Sequence, residues 1–190
     1  RRVLSSFADK ILGRQPDGTP YRGGLLHDAL SAYGVSPYEE TDQLRLFTAF
    51  MRMVEDGVGP NRTAPTDIHW ATCASHLRFT LRHAPDWRLD LVGHVERMET
   101  DLDAALTAAG VDPARRPTAI PRENTTAKPD RPIEAFFGDA EIAIMRRVYR
   151  EDFALFGYSE DPAIREPTGA VDLERLHATL APRRRAAAPG

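Results

Sequence analysis

An α/β fold carried mostly by helix is what this sequence predicts, on three observations. The segment Arg88-Leu89-Asp90-Leu91-Val92-Gly93-His94-Val95 alternates and carries β-branched residues, which makes it the best strand in the chain. A helical pattern follows at once, roughly Arg97 to Ala109, closed by Gly110. That strand-then-helix step fits a parallel sheet, while every other strongly periodic stretch repeats its apolar residues at helical spacing. At 190 residues, with 42% apolar and 28% charged side chains, the chain has the size and balance of one globular domain, or the larger part of one.

The elements follow in order. Val3, Leu4, Phe7, Ile11 and Leu12 form one face of an opening helix, with Arg2, Asp9 and Lys10 elsewhere around it. No Ser, Thr, Asp or Asn precedes this helix as an N-cap, so the chain is expected to begin inside a longer protein. Gly13 to Pro37 reads as loop, with one or two helical turns at Leu25, Leu26, Ala29 and Leu30. Thr41 or Asp42 caps the next helix, whose stripe is Leu44, Phe47, Phe50, Met51 and Val54 and which Gly57-Val58-Gly59-Pro60 ends. A polar entry, Thr63 to Asp67, leads to His69-Trp70 and a short helix. Five prolines between Pro113 and Pro132 mark an irregular connector, a length of loop that is usually functional or disordered. The last strong helix runs from Ile133 or Asp139 to Phe156, with Ile142, Met145, Val148, Tyr149, Phe153 and Phe156 inward. A weaker helix, Asp172 to Leu180, precedes a Pro/Ala-rich tail.

Charge and composition exclude several classes. A formal net charge of −3 gives no general reason to expect nucleic acid, and the Arg183-Arg184-Arg185 run sits in the tail, read as disordered. Cys73 is the only cysteine, so no intrachain disulfide forms and a reducing compartment is favoured. No apolar run reaches the roughly 18 residues that span a bilayer. The sequons at Asn61 and Asn124 carry meaning only in a secreted eukaryotic protein, and the Arg/Ala/Pro/Asp-rich composition is of a bacterial kind.

Three stretches, in this order, resemble the carbohydrate sulfotransferase family typified by chondroitin and related Golgi enzymes, which also has bacterial members. Arg2-Val3-Leu4-Ser5-Ser6-Phe7-Ala8-Asp9-Lys10 is similar to the end of the family's R-D-P-x-x-R-x-x-S-A-F-x-x-K motif. Asp67-Ile68-His69-Trp70, followed by Asp90-Leu91-Val92-Gly93-His94-Val95-Glu96-Arg97-Met98 and Asp101, resembles D-x-H-W and then D-x-[IV]-G-x-x-E-x-[LM]-x-x-D. Tyr149-Arg150-Glu151-Asp152-Phe153-Ala154-Leu155-Phe156-Gly157-Tyr158 is similar to the closing Y-x-x-D-F-x-x-F-x-Y.

The resemblance implies a P-loop-like sulfotransferase fold around a central parallel sheet. It covers about residues 1 to 160, some two-thirds of such a domain, with 161–190 as an extension. It also implies a donor, 3′-phosphoadenosine 5′-phosphosulfate, and transfer of its sulfuryl group to a hydroxyl, on a carbohydrate-type acceptor. Sulfuryl transfer needs in-line placement, positive charge at the departing phosphate and a base for the acceptor hydroxyl. By the match, Ser5 and Arg2 contact the donor's 3′-phosphate. Arg122, Asn124, Thr125, Thr126 and Lys128, in the Pro-flanked connector, are the second candidate cradle, since short polar side chains and an ammonium suit an anion. His69 and Trp70 fall near the acceptor cleft, with His69 a weak candidate for catalytic base and better read as a structural histidine beside Asp67.

Departures from the pattern matter as well. No Gly-rich loop followed by Lys-Ser/Thr occurs anywhere, so the 5′-phosphosulfate loop is expected upstream, along with the Arg-Asp-Pro of the first motif. A fragment lacking that loop is expected to turn over little or nothing. The paired cysteines of animal members are reduced here to Cys73. A rival zinc reading takes His69, Cys73 and His76 at i, i+4 and i+7, with Asp67 or His83 as fourth ligand, but no paired half-site supports it and no metal is expected. Competing with the enzyme is a catalytically incompetent binding module of the same fold. The cytoplasm is the expected compartment, the Golgi lumen the alternative if an upstream segment carries an anchor.

Overall fold

The opening apolar stripe folds as a helix. In the computed structural model α1 spans Arg2–Phe7 and continues as a π-helical turn, Ala8–Leu12. Val3, Leu4, Phe7 and Ile11 are buried as their spacing requires. Residues 2–13, 25–58, 63–64, 67–84, 86–117, 119, 131–161, 163–164 and 166–180 are described by the structure. The chain divides into two units: Arg1–Thr72 with Asn124–Arg150, and Cys73–Glu123 with Glu151–Gly190.

In the first unit α2 is Leu25–Ser31 and α3 is Gln43–Val58. The Asp42 carboxylate accepts the Leu44 amide at 3.0 Å, so Asp42 caps α3. Phe47, Phe50, Met51 and Val54 are fully buried, while Leu44 is only half-buried. Phe47 lies edge-on to Phe7 at 5.1 Å, to Phe136 at 5.4 Å and to Phe137 at 5.2 Å, an aromatic cluster at the heart of this unit. A 3₁₀ turn at Ile133–Phe136 leads into α6, Asp139–Val148. Buried Glu141 of α6 accepts from the Thr48 hydroxyl at 2.6 Å, which satisfies a carboxylate the core could not otherwise hold.

The second unit contains α4 (Cys73–His83), α5 (Met98–Ala108), most of α7 (Arg150–Phe156) and α8 (Leu173–Leu180). Ala74, Leu81, Leu155, Phe156, Leu176 and Leu180 form its core. Gly110, at φ +71°, ends α5: the Val111 amide reaches back to Leu106 O, closing the helix through a left-handed residue that glycine adopts at little cost.

Four expectations are corrected. The segment Arg88 to Val95 forms no strand, and no strand occurs among the described residues. A strand exists only through ladder bonds to a neighbour, and this segment's backbone spends its amides differently. Leu89 N–H goes to His177 Nε2 at 3.0 Å and His94 N–H to Asp101 at 2.7 Å. The long last helix is two: Tyr149 leaves helical geometry at φ −105°, ψ 15° between α6 and α7. Its buried register also shifts, since Glu141, Ile144 and Leu155 are buried where Ile142, Met145, Val148 and Phe153 are only half-buried. Lys10, placed off the apolar face, is 5% exposed and paired with Asp9. The Glu96 carboxylate accepts from the Tyr158 hydroxyl at 2.9 Å. The tail from 181 onward lies outside the described residues.

Candidate functional site

Three sequence motifs meet in the first unit at one turn. Asp67 Oδ1 accepts the His69 amide at 2.9 Å and also contacts the His69 ring nitrogen Nδ1, a short polar clasp that fixes the Asp67–Trp70 turn. The Ser6 hydroxyl donates to the His69 carbonyl at 2.9 Å. The Tyr149 hydroxyl donates to the next carbonyl, that of Trp70. Two successive carbonyls of the turn are therefore held by side chains 63 and 79 residues away in sequence. Trp70 itself is fully buried, edge-on to Phe50 at 5.4 Å. Its indole N–H meets no acceptor among the described residues, and a buried donor left so costs about 1–3 kcal/mol.

Ser5 stands apart from this clasp. Among residues 3 to 8 it alone is exposed, with Val3, Leu4, Ser6, Phe7 and Ala8 buried around it. The two adjacent serines thus divide their tasks: Ser6 turns inward to the His69 carbonyl, and Ser5 presents its hydroxyl outward.

The later motif residues assemble the second unit. The Asp152 carboxylate accepts the Cys73 amide at 2.7 Å and the Ala74 amide at 2.9 Å, capping α4 from α7. Asp101 accepts the His94 amide, and that bond before any other holds its carboxyl below the usual carboxylate range. His94 Nε2 reaches Phe156 O at 2.8 Å, and Tyr158 lies edge-on to the His94 ring at 5.3 Å. Burial, with the bond to Glu96, pushes the Tyr158 hydroxyl well above its ordinary range. Gly157, at φ +71°, carries the chain out of α7; a Cβ there would meet Gly169 O at 3.0 Å.

The sulfotransferase family model matches residues 1–159. The chain belongs to that family. No curated protein and no solved structure matches it significantly. In this sulfotransferase, residues of the matched motifs are tied to one another within each unit by the hydrogen bonds above.

The expected site residues divide three ways. Ser5 is exposed on α1; His69 and Trp70 are in the clasped turn, one half-buried and one fully buried. Arg122, Asn124, Thr125, Thr126 and Lys128 lie outside the described residues, as does the side chain of Arg2. Among the described residues no three His, Cys, Asp or Glu side chains converge as a metal site. His83, a member of the zinc reading, has Nδ1 2.8 Å from the Phe79 carbonyl. No helix of the described residues is long and apolar enough to cross a membrane. What sequence reasoning missed is the division between Ser5 and Ser6; the stripe spacing that buries Phe7 contained the signal, because Ser6 falls beside Val3 on the inner side.

Proposed function

We propose that this sulfotransferase moves the sulfuryl group of 3′-phosphoadenosine 5′-phosphosulfate to a hydroxyl of a carbohydrate-type acceptor, with Ser5 as a contact to the donor's 3′-phosphate. The outward Ser5 hydroxyl on an otherwise buried stretch is the observation that carries the reading. A hydroxyl so placed can donate to a phosphate oxygen, and a charge-assisted bond of that kind is stronger than a neutral one. Arg2 and the connector residues Arg122, Asn124, Thr125, Thr126 and Lys128 complete the anion site in this reading, supplying guanidinium, amide, hydroxyl and ammonium donors. The donor brings the group to be transferred; the chain's own part is to bind and orient it and to help the acceptor hydroxyl lose its proton. His69, held by Asp67 in one ring orientation, is the candidate for that proton, and Trp70 fixes the turn from below.

The transfer test is made on the full gene product. The protein works in the cytoplasm in this reading. Incubation with the labelled donor and a panel of hydroxylated saccharides should place labelled sulfate on at least one of them. Donor binding without transfer to any acceptor would instead favour a binding module of the same fold.

A further inference from the structure

The extended segment between α4 and α5 is held at both ends by histidines, and donor–acceptor chemistry fixes the state of each. At the first end the Leu89 amide lies 3.0 Å from His177 Nε2 on α8. An amide only donates, so that nitrogen carries a lone pair and His177 is neutral. The Leu89 carbonyl stands slightly farther from the same nitrogen, at 3.3 Å. At the other end His94 Nε2 lies 2.8 Å from the Phe156 carbonyl, which only accepts, so Nε2 carries the proton. The Arg97 guanidinium, which only donates, is 3.0 Å from Nδ1, so that nitrogen is bare and His94 is neutral too. The Asp101 carboxylate waits 3.5 Å from Nδ1.

We propose that His177 and His94 form a pH-sensitive latch on residues 89–94, closed while both rings are neutral and opened at the Leu89 end by protonation of His177. A proton on His177 Nε2 removes the acceptor of the Leu89 amide and turns the nitrogen toward the carbonyl. A proton on His94 Nδ1 repels Arg97, but Asp101 takes its place, so this end stays closed. Asp101 remains ionised throughout the histidine range, because its carboxyl is held below the usual carboxylate range. The charged and titratable groups around His94 are Arg97, Asp101 and the Tyr158 hydroxyl with Glu96 behind it. On the elements that meet at His177 they are Glu174 and Arg175 of α8, Arg88 and Asp90 beside Leu89, and His76, Arg78, Arg82 and His83 of α4, against which α8 packs. Arg78 is paired with Glu151. Among the described residues no carboxylate is paired with His177 in the manner of Asp101 with His94, which is why the two ends respond differently.

Histidine side chains titrate between about pH 5 and 8, so amide hydrogen exchange over that interval reads the latch. After correction for intrinsic exchange, Leu89 protection should fall about fivefold or more from pH 8 to pH 5, the effect of one lost neutral hydrogen bond, while His94 amide protection holds. His177→Gln, whose amide oxygen still accepts from Leu89 but does not titrate, should abolish the change. Nitrogen chemical shifts of the wild-type rings at pH 8 should show a bare Nε2 on His177 and a bare Nδ1 on His94. A protonated Nε2 on His177 at pH 8, unchanged Leu89 protection at pH 5, or the same fall in His177→Gln would each overturn the latch.

Discussion

Asp101 and Tyr158 occupy opposite ends of the pH scale in the second unit, and each makes its contribution in one protonation state. The Asp101 carboxyl is depressed chiefly by the His94 amide. Its contribution is therefore present above the ordinary aspartate value of about 3.9 and is lost as pH falls through the lower folded value. Tyr158 is raised by burial and by Glu96, and Tyr33 is raised to about 12 by burial and by its bond to Asp56. Their contributions are present below the ordinary tyrosine value of about 10 and are lost as pH rises beyond it. Denaturation midpoints followed by circular dichroism should hold level between these limits apart from histidine effects. They should decline below about pH 4 and above about pH 10. Tyr158→Phe should blunt the alkaline decline; an unchanged slope would deny Tyr158 that role. Single residues of this sort were partly legible in sequence. Tyr149 and Asp152 stand out in sequence as letters of the closing motif, and they bond to the Trp70 carbonyl and to the first α4 amides. The bond between Glu96 and Tyr158 had no local signal, because the two residues are 62 apart in the chain.

At the scale of elements, helices with a strong apolar period were legible and their junctions were not. Asp42 caps α3, the stripe of Phe47, Phe50, Met51 and Val54 is buried, and Gly110 closes α5, all from local signals. The break at Tyr149 had no such signal: neither Gly nor Pro stands there, and the residue is fixed by its bond to the Trp70 carbonyl. The Arg88 to Val95 segment has the composition of a strand, yet composition cannot supply a neighbour to pair with. The α4 start depends on a distant residue in the same way. Asp152 accepts both the Cys73 and the Ala74 amide. Asp152→Ala should therefore cost about 1–2 kcal/mol of stability in chemical denaturation, and Asp152→Asn less. A neutral Asp152→Ala would show that water caps α4 equally well.

For the molecule as a whole, the family was legible because its motifs are short, ordered and joined by hydrogen bonds within each unit. Membership follows from the match over residues 1–159. Of the residues proposed for the donor site, Ser5 is the one whose side chain the structure describes, since Arg2's side chain and the connector candidates fall outside what it describes.

Ser5 therefore bears the central claim, and calorimetric titration with 3′-phosphoadenosine 5′-phosphate tests it most directly. The wild-type protein should bind one equivalent, and Ser5→Ala should weaken that binding about tenfold or more, as loss of one hydrogen bond to a charged group does. Ser6→Ala serves as the contrast: it should lower stability through the freed His69 carbonyl while changing affinity less than Ser5→Ala does. Equal affinity in wild type and Ser5→Ala would contradict the account.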